Sequence, residues 1–361
     1  MKKETRQAYN KYITETAHLN EMPVGDVNTK FSVTPTVQQK LEQKVQLSSD
    51  FLQKINIIGV TEQQGEILGL GVASTIASTT DTTAKDRETQ DIHNLTKVTY
   101  HCQQINYDSH IRYPTLDLWA KFPDFGKKIG DIKAKRMALD RIMMGFNGQQ
   151  RATTSNRTTY PLLQDVAVGW LKKIETNAPE RVVSKDGKNG KSQNKILIGK
   201  GQEYQNLDAL VMAAVDDLIA EEYQDDTGLV AIMSRELLAD KYFPLVNNND
   251  KPSEKISADL IISQKRVGGL PAIRVPYVPK GTVLITRLDN LSIYYQEGAM
   301  RRTLVDNAKR DQLEDYVSSN DDYVVECYDC VALLRNIEFK DVDSDTVVSP
   351  DMTKETDKAT G

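Results

Sequence analysis

Cysteine is scarce in this chain. Three in 361 residues cannot build a disulfide framework, which points to a protein made in a reducing compartment. Histidine is nearly as rare: His18, His93, His101 and His110 all fall in the N-terminal third, and they form no histidine-rich metal motif. No window approaches the run of about 18 apolar residues that a membrane helix needs. The opening "MKKETRQAYNKYITETAHLN" lacks the apolar core of a secretory signal, so export by that route and membrane association are not expected. Neither sign of charge dominates. Lys plus Arg number 46 against 51 Asp plus Glu, a net charge of -5, and the charges are scattered, unlike the basic face of a nucleic-acid binder. A G-x-S-x-G elbow is missing, and the carboxylates are too dispersed to nominate an acid/base pair.

What is present suffices for a large core: 39% hydrophobic residues in a length that suits two subdomains. Tyr9, Tyr12, Ile13, Thr16 and Leu19 follow a helical stripe, and "EMPVGDVNTKF" follows with Pro23 and Gly25, giving a helical arm on a flexible joint. In "FSVTPTVQQKLEQKVQLSSDFL" Thr34 can cap, Pro35 suits the first helical turn, and Val37, Leu41 and Val45 line one narrow face. From Lys54 to Tyr113 the period becomes two: "KINIIGV", "EILGLGV" and "KVTYHC" read as strands. Ile105, Tyr107, Ile111 and Tyr113 then take the opposite parity, as a bulge near Gln103 and Gln104 would produce. Between the strands, Ala73 to Thr96 holds almost no large apolar residue, a length uncommon in a connection unless it is disordered or functional.

Leu116, Trp119 and Phe122, and then Phe125, Ile129, Ile132, Met137, Ile142, Met143 and Phe146, predict a long helix interrupted at Pro123 and stopped by Asn147-Gly148. A mixed α/β region follows over 151–290, with helices on "LLQDVAVGWLKKI", "LDALVMAAVDDLIAEEY" and "RELLADKYF", strands on "KILIG" and "LVAIM", a polar loop "SKDGKNGKSQNK" and an extended "LPAIRVPYVP". Leu207, Leu210, Val211, Ala214, Val215 and Leu218 make the second of those helices strongly amphipathic. Strands resume in "GTVLITRL", "LSIYYQ", "RRTLV" and "DYVVECYDCVALLRNIEFK", and the polar tail from Asp341 has the composition of a disordered segment.

Short motifs are weak here. Gly69-x-Gly71 is followed by Ser74 where a dinucleotide fingerprint needs glycine, and no helix opens there to face a pyrophosphate. Gly199-Lys200-Gly201 lies between a strand and a helix, yet it lacks the upstream glycine of a P-loop, and Gly201 replaces the magnesium-holding hydroxyl. A plain strand-to-helix turn explains it. Cys327 and Cys330 have redox spacing, but within a β run that spacing turns the thiols to opposite faces. Only Cys102 and four histidines remain to complete a zinc site. Asp341, Asp343 and Asp345 begin like a calcium loop but reach Thr346 and Met352 where Gly and Glu belong. No catalytic, cofactor or metal site is expected.

The inventory is an arm, a β excursion with a polar tip, a long helix, a mixed subdomain and a β return, which suits a chain that lies on copies of itself. It resembles the Hong Kong 97-like α+β fold of tailed-phage shell proteins. "SSDFLQKINI", "GVASTIASTTDT", "TLDLWA", "GFNG", "LQDVAVGWL", "LDALVM", "LLADKYFP", "IISQKR", "LPAIRVPY" and "LSIYY", in order, are similar to the major capsid proteins of peduovirus-type contractile-tailed phages, and the arm "ETRQAYNKYIT" and "NTKFSV" fit as well.

That resemblance implies an N-terminal arm over 1–30, removed on maturation, an N-arm helix over 31–53, and an E-loop with flanking strands over 54–113. It further implies a spine helix over 114–148, an A-domain over 149–290, a P-domain return over 291–340 and a tail over 341–361. The E-loop tip at Ser78, Thr79, Thr80 and Asp81 would pack on an adjacent subunit, so that the glycines of 69–71 serve β geometry rather than a ligand. Processing would fall near Lys30 and Phe31, in a segment open to a protease. The implied partners are other copies in hexamers and pentamers, a scaffold that is also the maturation protease, a portal at one vertex, and packaged DNA bound non-specifically. The product would be a virion shell assembled in the host cytoplasm, with no membrane and no cofactor. A motor-filled shell tolerates a net negative wall, and each lasting neighbour contact should exceed roughly 1,000 Å². Two alternatives stay open: a tail-tube or other phage structural subunit, which would stack rings, and a nucleotide-dependent α/β enzyme built on the Gly199 turn.

Overall fold

The helical stripe of the first residues forms α1 (Lys3–Leu19), which lies along the rest of the chain with Tyr9, Thr16 and Ala17 buried. The computed structural model describes every residue except 73–78, 85, 88, 90–92, 123, 186–194, 240, 242–264 and 340–361, and describes the backbone alone over 67–72 and 93–97. Ser78, Pro123, most of the loop "SKDGKNGKSQNK", the second half of "LLADKYFP", most of "IISQKR" and the tail with its three aspartates therefore lie outside the described residues.

The joint after α1 is ordered where a flexible one was expected. A 3₁₀ turn over Val24–Asn28 buries Val27, and β1 (Phe31–Ser32) pairs Phe31 with Arg302. Apolar burial of Val27, Phe31 and Val33 holds the segment down. In α2 (Pro35–Leu47) the side chain of Thr34 makes no cap. Its carbonyl instead accepts from Gln38 N–H at 2.9 Å. The buried face of α2 is Gln38, Glu42 and Val45, with Val37 and Leu41 only partly covered. A glutamate takes the inner position because a buried arginine waits there.

β2 (Asn56–Val60), β3 (Gln64–Val72), β4 (His93–His101), β5 (Gln103–Asn106) and β6 (Ser109–Arg112) follow. The parity change near Gln103 is a change of partner rather than a bulge: β4 pairs with β3, while β5 pairs with residues 318–321. Buried Cys102 marks the switch. The long helix is two, α3 (Tyr113–Trp119) and α4 (Phe125–Asn147). Near the end of α4, Gly145 faces the ring of Trp170 so closely that a Cβ would collide with it.

The helix expected on "LLQDVAVGWLKKI" starts only at Trp170, as α5 (Trp170–Asn177). Upstream, Leu163 sits at φ 57°, and Asp165 accepts Asn156 N–H at 2.6 Å, so local side-chain bonds favour turns over helix. β7 (Val182–Val183), β8 (Ile196–Ile198), α6 (Leu207–Leu218), α7 (Glu221–Gln224) and β9 (Leu229–Met233) come next. The expected inner face of α6 is buried at Leu207, Leu210, Val211 and Ala214, and Asn206 caps it by accepting Ala209 N–H at 2.8 Å. β10 (Arg266–Val267), β11 (Leu270–Arg274), β12 (Val283–Arg287), β13 (Leu291–Gln296), β14 (Arg301–Asn307), β15 (Gln312–Val325), β16 (Ala332–Leu334) and β17 (Ile337–Phe339) complete the chain.

Among the described residues two sheets organise the molecule. A seven-stranded sheet runs β1-β14-β15-β13-β2, with β5 and β6 also on β15. A six-stranded sheet runs β10-β11-β9-β12-β16-β7. β8 pairs with β17, and β3 pairs only with β4. The main core joins both sheets to α2, α4 and α5 through Ile293, Val325, Ile232 and Leu333. Trp170 stands at its centre, in edge contact with Phe51, Phe146 and Tyr323.

Candidate functional site

Among the described residues the β3–β4 ribbon forms a sheet of its own. Its ladder runs from Gln64↔His101 to Val72↔His93, nine residues a strand, so it extends about 30 Å at the usual rise per residue. Among the described side chains its base is anchored. Tyr100 lies over Gly65, whose missing side chain makes room for the ring, and stacks on Tyr294 with centroids 5.2 Å apart. His101 N–H donates to Asp322 at 2.9 Å, and Cys102 N–H to the Gln63 carbonyl at 2.8 Å. An open groove of about 1020 Å³ runs beside this base, lined by Glu66, Thr99, Lys173 and Asn177. Beyond the ribbon, Thr79 and Asp81 are exposed and Thr80 is half-buried. Asp81 Oδ1 accepts from the Thr83 amide at 3.0 Å and its hydroxyl at 2.6 Å. Those bonds, the hydroxyl's first, hold the carboxyl below its usual range. The turn is thus locally fixed while its outer surface is free.

The arm and the expected processing point form a second surface. Lys30 is exposed, whereas Phe31 is buried and paired. The arm itself is docked: Tyr12 Oη accepts from Arg302 Nη2 at 2.6 Å, Arg6 pairs with Asp306, and the Lys2 amide reaches Asp117 at 3.0 Å. Tyr9 of α1 packs with Tyr113, Leu116, Phe125, Ile129 and Leu313.

Behind both surfaces lies an ionic core that the sequence reading did not single out. Arg141 of α4 is fully buried. It donates to both Glu42 oxygens, at 3.0 Å to Oε1, and to Asp321 Oδ2 at 3.0 Å. Tyr107 donates to the same Asp321 oxygen at 3.0 Å, and Ser319 to the other. Burial would lower the Arg141 pKa, but the charges of Asp321 and Glu42 outweigh it and hold it above its ordinary value. Burial pushes the Glu42 carboxyl up despite Arg141, since one guanidinium serves two carboxylates. A second cluster joins Asp315 to Arg302 through two bonds of 3.0 Å and to Lys133 at 2.8 Å. The signal was available: alternation along β15 puts Leu313, Asp315, Val317, Ser319, Asp321 and Tyr323 on the buried face. An aspartate in an inward register needs a buried cation.

The remaining motif residues do not converge. Gly199 N–H bonds the Tyr204 carbonyl at 3.0 Å, and Asp208 places a carboxylate in the first turn of α6 where a phosphate would have to lie. Cys327 and Cys330 are not on a strand. They occupy a turn between β15 and β16, which overturns the expectation of opposite faces, because the ladder ends at Val325. His101 and His110 are exposed strand residues and His18 is exposed on α1. No group of three metal-binding side chains occurs among the described residues, and none of the helices there is long and apolar enough to cross a membrane.

Comparison with known proteins gives these surfaces a context. Residues 8–337 match the family described as phage major capsid protein, P2 family. The chain is 50% identical over 344 residues to the "Capsid proteins" of Escherichia phage P2, covering 94% of this chain and 96% of the relative. It is 40% identical over 338 residues to the "Major capsid protein" of Serratia phage KSP20, covering 93% and 97%. A solved chain from the satellite phage P4 procapsid including size determination (Sid) protein is similar at TM-score 0.77 and 48% identity, over 95% of this chain and 100% of that one.

Proposed function

Because the chain belongs to the P2 family of phage major capsid proteins, we propose that its β3–β4 ribbon is the E-loop, laid across an adjacent subunit of the same capsomer. The protein is a major capsid protein with the Hong Kong 97-like fold, a component of the virion's icosahedral shell. Family membership removes the tail-tube alternative, and the family is one of structural capsid proteins.

The ribbon carries the assignment. It is long, among the described residues it pairs only with itself, and its described anchors lie at its base; an isolated two-stranded ribbon is marginal in water. Lying on a neighbour supplies the missing contact. Thr79, Thr80 and Asp81, with Ser78, then form the tip that meets it. In the same reading 114–148 is the spine, 149–290 the A-domain, 291–340 the P-domain return, 1–30 the removable arm, 31–53 the N-arm and 341–361 the tail. Capsomers are hexamers and pentamers with a portal at one vertex, assembled in the host cytoplasm around a scaffold that is also the protease, and later filled with DNA.

Cleavage near Lys30 and Phe31 requires some opening. Lys30 is accessible, but the two residue pairs of β1 with Arg301 and Arg302 must separate before a protease can seat an extended strand. So short a ladder opens readily.

Electron microscopy of the expressed chain, with and without its scaffold, tests the reading. Capsomers or round shells are expected from the full chain. Replacing 67–97 by a short glycine-serine turn should leave a folded chain that forms neither. Filaments from the full chain, or normal shells from the shortened one, contradict it.

A further inference from the structure

The chain crosses between its two sheets twice near one point: residues 288–290 lead from β12 to β13, and residues 326–331 lead from β15 to β16. Asn290 ties the crossings together. Its Oδ1 accepts from the Cys327 amide at 2.7 Å, and its Nδ2 donates to the Cys327 carbonyl at 2.8 Å and to Thr286 Oγ1 at 3.0 Å. The Glu326 amide donates to the Asn290 carbonyl at 3.0 Å. The backbone of Cys327 is thereby fixed.

The turn packs on the start of α7, where the Ala220 amide donates to the Asp329 carbonyl at 3.0 Å, and the Cys327 sulfur lies in the field of Cys330, the amides of Asp329 and Cys330, and the Tyr223 hydroxyl. Cys330 Sγ also lies 3.7 Å from the Cys327 carbonyl oxygen. The surroundings favour a thiolate. The Cys330 contact, then the two amides, bring Cys327 down to about 6 against the opposing effects of burial and of the Asp329 charge. The same contact, with burial, pushes Cys330 up. Tyr223 is raised to about 12, first by the Cys327 charge beside it and then by burial. Access is graded: Cys327 is half-buried, Cys330 is buried behind it, and Cys102 is buried elsewhere.

We propose that Cys327 and Cys330 are a dithiol–disulfide site, oxidised by a small disulfide such as oxidised glutathione, whose bond clamps the joint between the two sheets. Cys327 thiolate attacks one sulfur of R–S–S–R, forming a protein–S–S–R bond and expelling RS⁻, which takes a proton from solvent. Cys330 then attacks the Cys327 sulfur, giving its proton to the second RS⁻ as that leaves. Two protein thiols are oxidised and one oxidant disulfide is reduced to two thiols. A disulfide holds its sulfurs about 2.05 Å apart. Both thiols lie in one turn, and Cys330 Sγ already folds back toward residue 327, so side-chain rotation is the main movement required. A reducing cell interior keeps the pair open, and an oxidising medium closes it. The chemistry does not depend on what the β3–β4 ribbon touches, so it stands or falls separately from the assembly reading.

The test uses the full chain, unassembled and in shells, in a series of oxidised-to-reduced glutathione ratios at neutral pH, read by peptide mass spectrometry. Oxidation should remove two hydrogens from the peptide holding 327 and 330. C330S should stop at a glutathione adduct on Cys327, and C327S should form no adduct at this turn. With the unmodified chain, iodoacetamide should label Cys327 at least about tenfold faster than Cys102. Labelling of Cys327 no faster than Cys102, or no internal disulfide in oxidised glutathione alone, overturns the proposal.

Discussion

At the scale of single residues, Arg141 is the side chain on which most depends. It joins α4 to α2 through Glu42 and to β15 through Asp321, in the interior where an unpaired charge is costly. Arg141→Ala should destabilise the unassembled chain by about 3–5 kcal/mol, since it strands two buried carboxylates. Glu42→Gln should cost only about 1 kcal/mol, because an amide oxygen still accepts from the guanidinium and burial already pushes the carboxyl up. Urea unfolding followed by Trp170 fluorescence separates the two, and equal losses would contradict this account of the cluster. Asp315 behaves in the opposite sense with pH. Burial alone would raise its pKa, but Arg302 and then Lys133 hold it below the ordinary value. A depressed carboxylate contributes stability that is complete above its unfolded pKa of about 3.9 and is lost as pH falls through the lower folded value. The stability gap between the unmodified chain and Asp315→Asn should therefore narrow below about pH 4, which urea midpoints across an acid series would show. The sequence hides these residues for a physical reason. An aspartate looks the same in any strand until the ladder fixes its parity, and the partners of Asp321 include Arg141 of α4 and Tyr107 between β5 and β6, far away along the chain.

At the scale of elements, the sequence was most readable where apolar spacing dominates. α6 buries the leucines and valines its stripe marks, and α4 ends at the Asn147-Gly148 stop. It was least readable where local polar bonds or long-range pairing prevail. Residues 161–168 form turns because the Asp165 carboxylate accepts the Asn156 amide, and the parity change at Cys102 is a switch between sheets that no local pattern encodes. The Cys327 turn belongs to the same group, since a β run and its end look alike in sequence. The arm was expected to need a neighbour but lies on its own chain, through Tyr9, Tyr12 and Arg6. A chain beginning at Phe31 should consequently uncover Tyr113, Leu116 and Phe125, and bind an apolar fluorescent dye more strongly than the full chain before assembly. Unchanged dye binding would mean that α1 does not cover that face.

At the scale of the whole molecule, the two sheets meet in a main core and buried charges tie helices to the seven-stranded sheet, while among the described residues the β3–β4 ribbon pairs with neither sheet. That division suits a shell subunit: a stiff body would keep the curvature of the capsomer, and on the proposed reading a ribbon of marginal stability would gain order from the next copy. The resemblance seen in long ordered runs of sequence carried this assignment, whereas no short motif did. The ribbon's reliance on a neighbour is measured most directly by hydrogen exchange at the amides of 64–72 and 93–101, in the unassembled chain and in closed shells. Protection near the base, beside Tyr100, should be similar in both, and protection toward Val72 and His93 should rise at least about tenfold on assembly. Equal protection along the ribbon in the two states would contradict the claim that an adjacent subunit holds it.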